Sequence, residues 1–370
     1  MKKIVTILGT RPEIIKLSKV IPLLDKYYNH TLIHTGQNFD YELNEIFFKD
    51  LHIRKPNFFL NVKSSNTGDA ISKIIKNSFQ ILQKISPDAV LIYGDTNSCL
   101  SAISAKKLQI PIIHMEAGNR CFDQRVPEEI NRKIIDHISD INLVISDHAK
   151  TNLINEGLNS DRIFKTGSHM FEVISDNLKK INNSKILSNL KIKKNEYFIV
   201  SIHREENVDY KNKLKCIMRQ LDKICEKFPK KKIIFSTHPR TRQKLKNINN
   251  KTKKNLLFHL PFAFTDYIKL IKNSYCMISD SGTIFEEASI LKIPAITIRG
   301  SHERQEGVDS GSVIISDFDN DDIINTIKIA KGCSSTNNTA DYFNKKVSSN
   351  IVKIIDGYIS QVNKKIWYKN

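Results

Sequence analysis

His114, Glu116, Arg120, Asp123, Arg125, Glu128 and Glu129 crowd into one stretch, residues 110–140, IPIIHMEAGNRCFDQRVPEEINRKIIDHISD. Carboxylates grouped with cations and a histidine suit proton transfer, in which a positioned side chain takes or gives a proton at a reacting carbon or oxygen. The stretch opens on Ile110-Pro111-Ile112-Ile113, an apolar run of the kind that fills a buried parallel strand. It then passes through a polar loop to Pro127, with Glu128 and Glu129 in the first turn of a predicted helix. Polar groups just past the carboxyl end of a strand are where an open α/β sheet keeps its ligand site. Glu116 stands just before Ala117-Gly118. An unpaired carboxylate is costly in so buried a place, so a functional role is favoured for it. For Glu129, a helix-cap acid and a site residue are equally good readings.

Five further clusters sit at strand ends. Gly9-Thr10-Arg11-Pro12-Glu13, with Lys16, joins a strand to a helix and suits an anion such as a phosphate, although an ordinary surface turn fits as well. Gly94-Asp95-Thr96-Asn97-Ser98 ends another strand, where Asp95 is either a helix cap or a site residue. His203-Arg204-Glu205-Glu206-Asn207, and more weakly Thr237-His238-Pro239-Arg240, place a histidine and an arginine after strands of the second half. Asp280-Ser281-Gly282-Thr283-Ile284-Phe285-Glu286-Glu287 offers a hydroxyl and amides to a phosphate and a glutamate to a ribose, with Arg299 and Arg304 after the next strand. Together they predict a nucleotide diphosphate held by the second half and acid–base chemistry on its sugar from Asp95, Glu116 and Glu128 of the first.

The elements that position these groups alternate strand and helix. Strands are predicted at 2–9, 30–35, 89–93, 110–113 and 141–145, with helices at 12–27, 41–49, 68–85 and 98–108. The helix at 68–85 carries its apolar stripe on Ile71, Ile74, Ile75, Ile81, Leu82 and Ile85. The polar segment 179–195 leads into a second series: strands at 197–202, 232–236, 275–279 and 295–298, helices at 212–227, 265–272 and 281–291. A last helix, about 344–362, crosses back onto the first domain. The expected fold class is α/β, with parallel sheets in two Rossmann-like domains facing across a cleft. The domains are residues 1–170, completed by a C-terminal helix at 355–370, and residues 171–354.

Composition narrows the classes. The chain has 370 residues, 58 Lys+Arg against 39 Asp+Glu, and a formal charge of +19. That charge raises nucleic-acid binding as a possibility. The lysines are spread through predicted surface helices without interleaved aromatics, however, so it reads as a general lysine bias with some pull on an anionic substrate. No apolar run reaches the roughly 18 residues of a membrane span. Residues 1–8 resemble a signal peptide briefly, but Arg11 and Glu13 interrupt the run, and a first strand fits better. Cys99, Cys121, Cys216, Cys225, Cys276 and Cys333 are scattered, which fits reduced thiols in the cytosol and argues against structural zinc.

The motifs resemble the non-hydrolysing UDP-N-acetylglucosamine 2-epimerase family. The matching stretches are GTRPEIIK (9–16), TGQNFD (35–40), GDTNS (94–98), HMEAGNR (114–120), RVPEEINR (125–132), the block 203–207, SDSGTIFEEAS (279–289) and IRGSHERQEG (298–307). The resemblance implies a GT-B fold and elimination of UDP to a 2-acetamidoglycal followed by re-addition. It implies no redox cofactor and a homodimer, while composition argues against a metal, nucleic acid and membrane insertion and for a cytoplasmic setting. By motif match the catalytic residues are Asp95, Glu116, Glu128 and His203. The substrate- and UDP-binding residues are Arg11, Lys16, Arg120, Arg204, Tyr267, Ser281, Gly282, Glu287 and Arg304. The chain departs from the pattern at Thr283, Phe285 and Gln305, and Glu116 and Glu128 stand only twelve residues apart. The segment 114–140 is most similar to the branch converting UDP-N-acetyl-L-pneumosamine (2-acetamido-2,6-dideoxy-L-talose) to UDP-N-acetyl-L-fucosamine for surface polysaccharide, capsule or O-antigen. The alternatives are UDP-N-acetylglucosamine giving UDP-N-acetylmannosamine, a hydrolysing epimerase and, from another class, a GT-B glycosyltransferase.

Overall fold

The structure, a computed structural model, describes residues 1–36, 41–62, 64, 66–237, 239–246, 253–318, 322–333 and 339–369. Residues 37–40 of the TGQNFD stretch and His238 lie outside the described residues. The chain forms two compact units, Met1–Ser175 with Asn344–Asn370, and Asp176–Phe343.

The first unit is built on β1 (Lys3–Leu8), β2 (Asn29–His34), β3 (Phe58–Phe59), β4 (Ala89–Tyr93), β5 (Ile112–Ala117), β6 (Ile141–Val144) and β7 (Ile163–Lys165). They run parallel in the order β3-β2-β1-β4-β5-β6-β7. The second unit has β8 (Tyr197–Ser201), β9 (Lys232–Ser236), β10 (Leu256–His259), β11 (Cys276–Ser279), β12 (Ala295–Thr297) and β13 (Ile314–Ile315). These are also parallel, ordered β10-β9-β8-β11-β12-β13. Central strands such as β4 and β8 are almost wholly apolar and buried, as a sheet covered on both faces requires. Val5, Ile7, Val90, Ile92 and Ile112 of the first sheet pack on Ile74 and Leu82 of the helix Thr67–Ile85. Each sheet reverses its winding once, between β1 and β4 in the first unit and between β8 and β11 in the second. Loops part at such a switch point and leave a crevice at the carboxyl ends of the strands.

Several elements differ from expectation. The helix expected at 12–27 is two, Arg11–Leu17 and Val20–Tyr27. Pro22 lacks an amide and its ring clashes with the carbonyl four residues back, so it tolerates only a first-turn position and the helix restarts. The strand expected to end at Ile113 continues as β5 through Ala117, which puts His114 and Glu116 inside the strand rather than in the following loop. The helix expected from Ser281 starts at Ile284, leaving Ser281-Gly282-Thr283 as a turn.

The unit boundaries fall after Ser175 and Phe343 instead of after 170 and 354. The last helix, Val347–Lys365, is one continuous element whose stripe Val347, Ile351, Ile355, Ile359 and Val362 is buried, so no boundary divides it. The Ser348 amide also donates to the Glu172 carboxylate at 2.9 Å, which ties both joints to the first unit. Among the described residues no helix is long and apolar enough to cross a membrane.

Candidate functional site

In the first unit the loops after β1 and β4 and the end of β5 meet at the switch point. Gly9 can only be glycine there, since a Cβ would fall 2.0 Å from Ser98 Oγ and 2.2 Å from Thr35 Oγ1. Thr10 caps the helix Arg11–Leu17 and Glu13 closes the capping box. The Glu13 carboxylate is buried and accepts from Gly9 N (2.6 Å), Thr10 Oγ1 (2.9 Å) and Thr96 Oγ1 (2.7 Å). It thereby staples the first loop to the one that carries Asp95. Burial pushes this carboxyl up to about 7, the hydrogen bonds acting in the opposite direction.

Glu116 occupies a β-bulge, where the β5–β6 register shifts between Met115 and Ala117, and its φ is 68°. A non-glycine residue there carries strain of about 1–3 kcal/mol, of a kind that collects at functional sites. The bulge turns the carboxylate onto Lys16, whose Nζ lies 3.1 and 3.0 Å from the two oxygens. The lysine side chain is only 5% exposed, and its ammonium also lies 5.4 Å from the Tyr93 ring centre. Next to this pair, Asp95 Oδ2 accepts from Arg132 Nε at 2.7 Å. Arg132 continues to Glu129 at 2.6 Å, and Glu129 in turn accepts from the amides of Cys121 and Phe122. Glu129 is therefore neither a solvated cap acid nor a group open to ligand; it braces the loop that follows β5. Glu128, beside it, is half-buried in the first turn of the helix Pro127–Ile138. Arg11 is half-buried over the Phe47 ring at 5.9 Å.

Two expected contributors turn inward. Arg120 is fully buried and donates to Asp136 at 2.7 Å and to both oxygens of Glu156 at 2.7 and 2.6 Å. His114 is held between Asp136 (2.8 Å) and the Gly94 carbonyl (2.9 Å), which fixes the start of the Asp95 loop.

In the second unit the switch point brings His203, after β8, beside Asp280, after β11. The Asp280 carboxylate is fully buried and accepts from the amides of His203 (3.0 and 3.1 Å) and Arg204 (2.9 Å) and from Asn207 Nδ2 (3.0 Å). The imidazole Nδ1 lies 3.2 Å from it. Burial alone would raise this carboxyl, but the imidazole and the donors outweigh it and hold the group below the usual carboxylate range. Ser281 Oγ lies 3.0 Å from Thr283 Oγ1, and the Thr283 amide donates to it at 3.4 Å. Gly282 faces Glu303, whose Oε1 would be 2.7 Å from a Cβ, and Glu303 pairs with Arg299 at 2.9 Å. Glu287 is buried one turn into the helix Ile284–Leu291, and Tyr267 is half-buried on the helix Phe264–Asn273. Arg304 is buried between Glu286 (3.6 Å) and Glu306 (3.9 Å). Phe285 packs against Gly307, where a Cβ would meet the phenylalanine Cβ at 2.8 Å and its ring Cδ1 at 2.9 Å.

Asp280, Arg132 and Glu13 all lie inside motifs singled out from sequence, yet only the structure gives them partners. Their sole sequence signal is a charged side chain at a strand end or on the first turns of a helix.

A sequence model described as UDP-N-acetylglucosamine 2-epimerase matches residues 24–356. The chain belongs to this family of isomerases. A solved UDP-N-acetylglucosamine 2-epimerase from Rickettsia bellii is 47% identical, with each chain fully covered and a TM-score of 0.93. The Methanocaldococcus jannaschii epimerase, solved in complex with UDP-GlcNAc and UDP, is 36% identical over 96% of this chain and 99% of its own, with a TM-score of 0.88. A relative from Pseudomonas aeruginosa named UDP-2,3-diacetamido-2,3-dideoxy-D-glucuronate 2-epimerase is 31% identical over 95% of this chain and 99% of its own length. The two parallel-sheet α/β domains are those of the family's solved structures.

Proposed function

We propose that the chain is a non-hydrolysing C2-epimerase of a UDP-2-acetamidohexose, working by elimination and re-addition of UDP. What carries this is Glu116, set in a strained bulge at the switch point of the first sheet and ion-paired to the buried Lys16, with Asp95 braced beside it by Arg132. A C2 proton that is not next to a carbonyl is barely acidic, so its removal must accompany departure of a leaving group. A base takes the C2 proton, the C2–H electron pair forms the C1–C2 double bond, the C1–O bond breaks, and UDP leaves with the C1–O electron pair. A second group then protonates C2 on its opposite face, and UDP oxygen rebonds to C1. Asp95, Glu116 and Glu128 are the acid–base groups for the two proton transfers. His203, Arg204, Arg11 and Lys16 balance the diphosphate. The Ser281-Gly282 turn, Glu287 and Tyr267 hold the nucleotide. Arg120 supports the post-β5 loop rather than touching ligand, because its bonds go to Asp136, Glu156 and the Asn119 carbonyl. Arg304 orders the helix Gln305–Asp309 beside the nucleotide through Glu286 and Glu306.

For the sugar, the likeness of segment 114–140 supports the UDP-N-acetyl-L-pneumosamine and UDP-N-acetyl-L-fucosamine pair, made by a cytoplasmic homodimer for surface polysaccharide. The second reading, UDP-N-acetylglucosamine, is favoured by the names of the Rickettsia and Methanocaldococcus proteins and by the ligand of the latter. The test is proton NMR of the enzyme in D2O with each UDP-sugar in turn and no acceptor. Deuterium at C2 of the L-sugar alone, without free sugar, is the expected result. Exchange on UDP-N-acetylglucosamine alone replaces the substrate and keeps the chemistry; release of free sugar points to a hydrolysing enzyme. No exchange on either points to a glycosyltransferase or to a different nucleotide sugar.

A further inference from the structure

The second unit contains a buried acid for which the proton transfers above have no use. Asp280 is fully buried, and its two oxygens accept from two backbone amides and the Asn207 side chain within 2.9–3.1 Å. A carboxylate so solvated by fixed donors is an anion, and an anion only accepts. The ring atom beside it, His203 Nδ1 at 3.2 Å, must therefore be the one that carries hydrogen. The two side chains are set by adjacent strands, since β8 and β11 pair directly with Ser201 opposite Ser279. Asp280 N donates to the Ser201 carbonyl and Ser279 Oγ to the same oxygen, so the two strand ends are locked in register where the pair forms. The imidazole itself is 40% exposed, against 0% for the acid.

We infer that Asp280 is a positioning residue for His203: it fixes the Nδ1–H tautomer and the ring plane, which leaves Nε2 as the nitrogen that meets the ligand. It also stabilises the imidazolium when Nε2 is protonated, so that the ring can donate Nε2–H to an oxygen of the departing diphosphate. Asp280 itself touches no reacting atom. The catalytic consequence rests on the epimerase function proposed above; the tautomer does not.

Nitrogen-15 NMR of histidine-labelled full-length protein reads the tautomer directly, the His203 signals being those lost in His203→Gln. At a pH where the ring is neutral, protonation at Nδ1 is expected. A neutral ring protonated at Nε2 overturns the inference. Asp280→Asn replaces one accepting oxygen by an amide and lets the ring take the other tautomer. Its kcat is expected to fall about 100-fold, with KM for the UDP-sugar changed less than about threefold. If kcat holds, or if kcat and KM worsen together with the melting temperature, Asp280 is only a brace for the 203–207 loop. Should that variant not fold, the wild-type resonance decides alone. If no UDP-sugar turns over, the epimerase function falls while the tautomer still decides the pairing.

Discussion

Glu116 shows what a single residue contributes. Its backbone is strained, its carboxylate is bound by a lysine 100 positions earlier, and both features follow from one bulge in β5. Glu116→Gln keeps the shape but not the proton acceptor. UDP binding by calorimetry should be unchanged while turnover falls by about 10²–10⁴-fold; near wild-type turnover would remove Glu116 from the chemistry. Glu13 makes a different prediction, about stability. Its folded-state pKa is raised from 4.5 to about 7, so its contribution is fully present below 4.5 and is lost as pH rises through 7. Relative to Glu13→Gln, the wild type should lose roughly 3 kcal/mol between pH 4.5 and 8, read from urea midpoints at each pH. A constant gap between the two proteins would refute the burial argument. Glu116 and His203 are legible in sequence because each stands at the end of an apolar run, and Lys16 because it belongs to the strand-to-helix cluster that opens at Gly9. Their partners are less so: Arg132 lies 37 residues from Asp95 and Asp280 lies 77 from His203, and no local pattern marks either pairing.

At the scale of elements, the end of β5 is closely joined to the helix Asp147–Asn155. Gly118 has φ of 78° and a Cβ there would lie 2.2 Å from the Ala149 carbonyl oxygen, while Asn152 Nδ2 donates to the Gly118 carbonyl at 3.0 Å. Gly118→Ala should therefore cost more than about 1–3 kcal/mol and lower the melting temperature, since the helix would have to move away. A change under about 0.5 kcal/mol would mean that the loop accommodates a side chain there. The central strands were legible because burial on both faces leaves long apolar runs. The four strands that sequence did not reveal, β3, β7, β10 and β13, are the sheet edges and span two to four residues. Such segments are too short for any periodicity to emerge. The break before Val20 was hidden for another reason: the apolar spacing continues through it, and only the backbone chemistry of Pro22 ends the first helix.

For the whole molecule, the division of the chain matters most. Residues 176–343 hold a complete six-stranded sheet and its own core, whereas the first unit needs Asn344–Asn370 as well. A fragment of residues 176–343 should unfold cooperatively on its own, and a fragment of residues 1–175 should not, as followed by circular dichroism against temperature. The second fragment loses the buried faces of Ile351, Ile355 and Ile359, each worth about 1.5–3 kcal/mol. Equal cooperativity in both fragments would show that the last helix is dispensable. Sequence announced two α/β halves and a returning helix but placed the second joint inside that helix, whereas it falls between Phe343 and Asn344, just ahead of it.

The returning helix also dictates an order of events during synthesis. The first 175 residues emerge from the ribosome without the piece that completes them. At about 5–20 residues per second, the roughly 170 residues in between delay that piece by about 8–35 s. For that interval the face that will receive Ile351, Ile355 and Ile359 stays uncovered, while the unit made second can already close. The half of the protein that carries Glu116 and Asp95 is begun first and finished last.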